Sequence, residues 1–236
     1  MEKHVLLHSI CRRTYFNDNA AVRHVLDPQR SFVEPLLDWH EENGRHRLPW
    51  REPSRSGFEI LIAEILLQRT TAASVAGAYL PIVARYQSPE TVVAASPETI
   101  ERRIAPLGLA KRAEFIRRSS QQLLARHSGD IPHRYADLLE LHGVGAYTAR
   151  SVLIHAFDED IAAVDTNVRR LVSRFFDISP DSGALTYLAD ALVPSQRGSE
   201  FQHAMLDFAA DVCTARTPQC ETCPFGEHCR SSGRAV

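Results

Sequence analysis

The 236-residue chain is short of lysine: Lys3 and Lys111 are the only two, and every other permanent positive charge is an arginine. Chemistry that runs through a lysine Schiff base therefore has almost no candidate nucleophile. Long apolar runs are lacking too. No stretch reaches membrane-spanning length, and the N-terminal HVLLHSI is too short and too interrupted for a secretory signal, so a cytoplasmic protein is expected. An excess of positive charge is also missing, since the formal net charge is −2. Binding to a polyanion would have to come from local asymmetry, as in the basic segments Arg102–Arg126 and Arg169–Arg174, although such clusters are commonly solvated helix faces. Convincing apolar–polar alternation is absent, which argues against a sheet-based fold.

What is present is helical periodicity, almost without interruption from Ser31 onward. The pattern predicts helices over 31–43, 58–68, 71–86, 111–127, 135–141, 146–157, 166–176, 183–193 and 199–212. Two further starts are marked by Ser88-Pro89-Glu90 and Ser96-Pro97-Glu98, each an N-cap serine, a proline at the first helical position and an early glutamate. Residues 1–30 are polar, lack periodicity and read as a loosely ordered tail. The fold class is all-α, and the length permits one substantial core or two small domains.

The chain is organised around Leu138–Arg170, LLELHGVGAYTARSVLIHAFDEDIAAVDTNVRR. A helix runs into His142-Gly143-Val144-Gly145 and another opens at Ala146. The glycines sit where a tight hairpin ends and a helix begins, so unpaired backbone N–H groups face outward and the helix dipole favours an anion. Twenty residues on, Asp165 opens a helix of its own. Each feature also has a plain reading: a simple helix–helix turn for Gly-x-Gly, and an N-cap for Asp165 that satisfies the amides of Asn167 and Val168. Capping orients a carboxylate, so it is compatible with catalysis. The motif is no dinucleotide fingerprint, because no strand precedes it.

Glu64 lies within FEILIAEILLQ, a helix apolar on nearly every side. A carboxylate there marks either an internal hydrogen bond, with Gln68 one turn away, or a working site. Arg69-Thr70-Thr71 reads as a turn from which Arg69 projects. At the end of the chain four of the five cysteines follow the spacing Cys213-x6-Cys220-x2-Cys223-x5-Cys229, and Cys11 is left over. With no export signal, metal binding is a better reading than disulfides. On spacing alone, four-thiolate zinc and an iron–sulfur cube fit equally well.

Taken together, LHGVGAYTA, VDTNVRR and the cysteine spacing resemble the helix-hairpin-helix DNA glycosylases with an iron–sulfur cluster, the group containing endonuclease III and the MutY-type adenine glycosylases. The resemblance covers roughly Ser31–Arg230. It implies two helical lobes: a six-helix barrel over 53–160 containing the helix-hairpin-helix (135–157), and an iron–sulfur domain from 31–52 and 161–236. It further implies a [4Fe–4S] cluster on Cys213, Cys220, Cys223 and Cys229, and a monovalent cation at the hairpin. The implied partner is double-stranded DNA with a mismatched or damaged base, bound at the cleft by a monomer and, in a prokaryote, near the nucleoid. Gly143, Val144 and Gly145 would hold a backbone phosphate, Asp165 would serve catalysis, and Arg69 and Leu109 would fill the gap left by a flipped base. The loop after Cys213, carrying Arg216, is expected to touch phosphate.

The subtype rests on a few positions. Where the bifunctional endonuclease III branch has a lysine after the hairpin, this chain has Tyr147, so a monofunctional enzyme that leaves an intact abasic site is expected; Lys111 is the one alternative nucleophile outside the tail. Glu64 matches the glutamate of the adenine glycosylases, but the chain ends soon after Cys229, where those enzymes usually continue into a domain that reads 8-oxoguanine, and Ala110-Lys111 replaces their aromatic pair. AEILLQRTTA, GVGAYTA and VDTNVRRL are more similar to the thymine/uracil–guanine mismatch branch, where Glu64, Tyr147 and Asp165 all have counterparts. His142 departs from the usual proline. The leading expectation is removal of thymine or uracil opposite guanine in base excision repair; the alternatives are an adenine glycosylase and a non-catalytic DNA-structure binder.

Overall fold

The computed structural model describes residues 27–108 and 111–232. Among them all regular structure is helical. The helices are α1 (Glu34–Asn43), α2 (Gly57–Leu67), α3 (Ala72–Arg85), α4 (Pro89–Val93), α5 (Pro97–Ile104), α6 (Lys111–His127), α7 (Tyr135–Leu139), α8 (Ala146–Phe157), α9 (Thr166–Phe176), α10 (Ala184–Leu192) and α11 (Gly198–Asp211). A wide helical turn, Gln29–Val33, leads into α1, so helical backbone begins ahead of the expected Ser31. Its first turn is secured by Asp27, whose carbonyl accepts from Ser31 N and whose Oδ1 accepts from Gln29 N.

The chain divides into two compact units, one of residues 45–158 and one that joins residues 27–44 to 159–232. In the first, α2 is buried on nearly every side and packs on α8, while α6 packs on α4 and α5. A capping box starts α2: Glu59 N donates to Ser56 Oγ at 3.2 Å and Ser56 N donates to Glu59 Oε2 at 2.9 Å. A Cβ at Gly57 would lie 3.3 Å from Ile131 Cγ1 and 3.4 Å from the Cβ of Ala156 on α8, so α2 starts in close contact with both. Ser96 caps α5 as expected, accepting from Thr99 N. At Ser88 the bonding runs instead through Thr91, whose Oγ1 accepts from Ser88 N and donates to Ser88 O.

The second unit is built on phenylalanine. Phe32 packs on Phe175 (ring centroids 4.8 Å apart) and stacks on Phe225 (5.0 Å), which in turn meets Phe208 at 4.7 Å. Phe225 lies between Cys223 and Cys229 and is only 2% exposed. The cysteine-bearing segment is therefore anchored in the core by an aromatic side chain of its own, and burying such a ring is worth about 3 kcal/mol.

Candidate functional site

In the unit of residues 45–158, the hairpin joining α7 to α8 turns on two glycines that do different work. Gly143 has φ +84°, and a Cβ there would sit 2.4 Å from Phe115 Cγ, so both the backbone and the neighbour require glycine. Gly145 has an ordinary φ of −100° and open space where a Cβ would be. It is the N-cap of α8 and offers no side chain to the first-turn amides, which stay available to an external acceptor. Val144 is buried and its N–H donates to Leu141 O at 3.1 Å, which pins the turn from below. His142 replaces the usual proline without opening the hairpin: its N–H donates to Gln122 Oε1 at 2.6 Å and its ring stands edge-on to Phe115.

Glu64 is 7% exposed, in the middle of α2. Gln68, at the C-terminal end of α2, donates from Nε2 to Gly143 O at 2.9 Å, so the helix that carries Glu64 is tied to the hairpin. Tyr147, half-buried, is the second residue of α8. Arg69 is exposed and has left-handed backbone, φ 55°. Leu109 and Cys11 fall outside the described residues.

Asp165 belongs to the other unit and caps α9. Its Oδ1 accepts from Asn167 N and Val168 N, both at 2.8 Å, the two amides expected from sequence. Its Oδ2 accepts from Asn167 Nδ2 at 2.7 Å. Three donors thus fix the plane of the carboxylate. Asn167 is held in its turn, because its Oδ1 accepts from both Arg170 Nη1 and Nη2 at 3.1 Å. Arg170 also donates to Cys213 O at 3.0 Å and Ala209 O at 2.8 Å. A continuous polar chain therefore runs from the capping aspartate to the backbone of the first cysteine, a link between side chains and carbonyls some forty residues apart that the sequence does not advertise.

One turn along α9, Arg174 donates to Thr214 O at 2.7 Å and Ala215 O at 3.1 Å and approaches Cys213 Sγ at 3.5 Å. Arg170 and Arg174 are therefore internal clamps on the cysteine segment rather than members of a solvated basic face. Arg216, in the same segment, is exposed. The four cysteines are free thiols lining one cavity. Burial pushes the thiols of Cys223 and Cys229 up, and the neighbouring cysteines reinforce the shift. Four thiols lining one cavity are a donor set that suits an iron–sulfur cube as it suits a single tetrahedral ion.

The family model for "HhH-GPD superfamily base excision DNA repair protein" matches residues 62–192. The chain belongs to this superfamily. A second model, the iron–sulfur binding domain of endonuclease III, matches residues 213–229 and so spans all four cysteines. The protein accordingly carries a [4Fe–4S] cluster, with Cys213, Cys220, Cys223 and Cys229 as its candidate ligands.

Within the superfamily, the chain is 36% identical over 209 residues to the adenine DNA glycosylase of Mycobacterium tuberculosis, an alignment covering 86% of this chain but only 66% of that protein. It is 34% identical to the thymine/uracil-DNA glycosylase of Pyrobaculum aerophilum, covering 84% of this chain and 89% of the relative. Its fold matches the structure of a thermostable thymine-DNA glycosylase with a TM-score of 0.82 at 32% identity, over 88% of this chain and 97% of that one. Among the described residues no helix is long and apolar enough to cross a membrane.

Proposed function

We propose that the protein is a monofunctional DNA glycosylase of base excision repair, which hydrolyses the N-glycosidic bond of thymine or uracil opposite guanine and leaves an intact abasic site. What supports this reading is the likeness to the thymine/uracil-DNA glycosylase of Pyrobaculum aerophilum, at 34% identity, and to the thermostable thymine-DNA glycosylase, whose fold matches with a TM-score of 0.82. Tyr147, at the position where the strand-cleaving branch has a lysine, supports the absence of lyase chemistry.

In this reading the partner is duplex DNA bound by a monomer inside the cell, at the nucleoid if the cell is prokaryotic. The bare N-terminus of α8 receives a backbone phosphate through the amides around Gly145. Arg69, with Leu109, fills the space of the extruded base. Glu64 hydrogen-bonds the flipped pyrimidine or positions water, and Tyr147 contacts the base or its sugar. Asp165 supplies the fixed negative charge beside C1′, where cleavage builds oxocarbenium character, and water completes the hydrolysis. Arg216 contacts a phosphate. The cluster holds the cysteine segment in shape and enters no step.

Replacing Asp165 by asparagine tests the assignment. Loss of at least about a hundredfold in single-turnover rate with DNA affinity retained is expected from the removal of one charge-stabilising group. A variant indistinguishable from wild type would mean a protein that binds DNA without cleaving glycosidic bonds. The adenine reading keeps one specific support, the 36% identity to the mycobacterial enzyme, and release of adenine from A:G or A:8-oxoguanine pairs would establish it.

A further inference from the structure

Arg112 is the most deeply buried cation in the described chain, 1% exposed, and it faces backbone rather than carboxylate. Its Nη1 donates to Leu107 O at 2.9 Å, its Nη2 donates to Gln68 O, and its Nε is buried without a hydrogen-bond partner. Burial alone lowers its pKa from the ordinary arginine range, with no acid offsetting the loss of water. A guanidinium in the first turn of α6 also opposes the helix dipole. As a contribution to stability this placement is poor, and its geometry calls for another explanation.

Each of the two clamped carbonyls immediately precedes a residue with positive φ. Gln68 O precedes Arg69, whose left-handed φ of 55° is a conformation a non-glycine side chain keeps only where its surroundings impose it. Leu107 O precedes Gly108, at φ 97°. Gln68 is held a second time by the bond from its Nε2 to Gly143 O in the hairpin. Arg112 and Gln68 therefore tie three separate segments, the Arg69 turn, the turn ending at Gly108 and the hairpin, into one registered surface. We propose that Arg112 is a positioning residue for base extrusion: it presets the Arg69 turn relative to the phosphate-binding hairpin, so that Arg69 enters the stack from a rigid support. This rests on the gap-filling role given to Arg69 above. It adds a residue that touches no DNA and that sequence alone places among the exposed arginines.

The test separates opening of the duplex from binding and from chemistry. A duplex with 2-aminopurine beside a T:G, U:G or A:G mismatch brightens when the neighbouring stack opens, whichever base is excised. The wild type is expected to raise the fluorescence, and Arg112→Met to lower that rise by about tenfold, the effect of losing a charged hydrogen bond that orders the turn. The salt dependence of affinity should stay unchanged, because no phosphate contact is removed. Arg112→Lys, which keeps the charge but reaches one carbonyl, should fall between the two, and it decides the matter if Arg112→Met loses its helical circular dichroism or its cluster absorption. A full rise in Arg112→Lys and in any folded Arg112→Met would overturn the proposal, as would loss of affinity in step with loss of signal. No rise with the wild type on any mismatch would instead contradict the function proposed for Arg69.

Discussion

Asn167 gives the sharpest test of how Asp165, the carboxylate proposed to act in catalysis, is held. Replacing it by alanine removes the 2.7 Å bond from Nδ2 to Asp165 Oδ2 and the acceptor shared by both Arg170 Nη atoms. It leaves both amide bonds to Asp165 Oδ1 intact, since these come from the backbone of residues 167 and 168, and Arg170 keeps the carbonyls of Cys213 and Ala209. The helix cap therefore survives, and because Asp165 and Arg170 are only half-buried and water can take the place of the lost side chain in the free protein, stability should change by no more than about 1 kcal/mol, or roughly 2–4 °C in melting temperature. Catalysis should suffer more. One charge-assisted hydrogen bond, worth about 1.5–3 kcal/mol, no longer fixes the free oxygen of Asp165, and its full loss from the transition state would slow single-turnover excision by about 10–100-fold. Rapid-quench excision at saturating enzyme, with a melting curve on the same preparation, reads both quantities. Wild-type excision with wild-type melting would refute the argument; so would a melting loss above about 10 °C, which would make the asparagine a fold-holding residue.

The hairpin glycines should separate cleanly. Gly143→Ala meets Phe115 and an unfavourable φ and should destabilise by about 2–4 kcal/mol in denaturant titration. Gly145→Ala has room and should fold with wild-type stability yet bind DNA less tightly, since its methyl group occupies the approach to the α8 amides. Removing iron from the holoprotein should lower the melting temperature and release Phe225 from the aromatic core, seen as loss of near-UV circular dichroism with most helical signal retained; an unchanged near-UV spectrum would contradict the anchoring role. Arg216→Ala should weaken binding to all sequences alike and reduce the salt slope by about one; an unaltered slope would remove Arg216 from the interface.

Much of this was legible in the residues, for physical reasons that differ by element. The bounds of α6, α8 and α9 coincide with those expected, and two of these starts were marked by local chemistry: a capping aspartate before α9 and a glycine before α8. The start of α2 was readable in the same way, from the reciprocal pair Ser56 and Glu59, but its apolar run drew the boundary to Phe58. Arg112 is harder. Its flanking charges suggest an exposed face, yet it lies on the buried stripe of Ala113, Ile116, Ser120 and Leu123, a helical spacing that could have revealed it. The link from Asp165 through Asn167 and Arg170 to Cys213 could not be foreseen, because it ends on backbone carbonyls whose positions depend on how α9 and the cysteine segment pack.

The measurement that bears most directly on the central claim is single-turnover excision by the holoprotein on labelled duplexes holding T:G, U:G, A:G and A:8-oxoguanine pairs, with and without alkali. The account predicts strand breaks at T:G and U:G that appear only after alkali. Adenine release, or breaks at T:G without alkali, would contradict it.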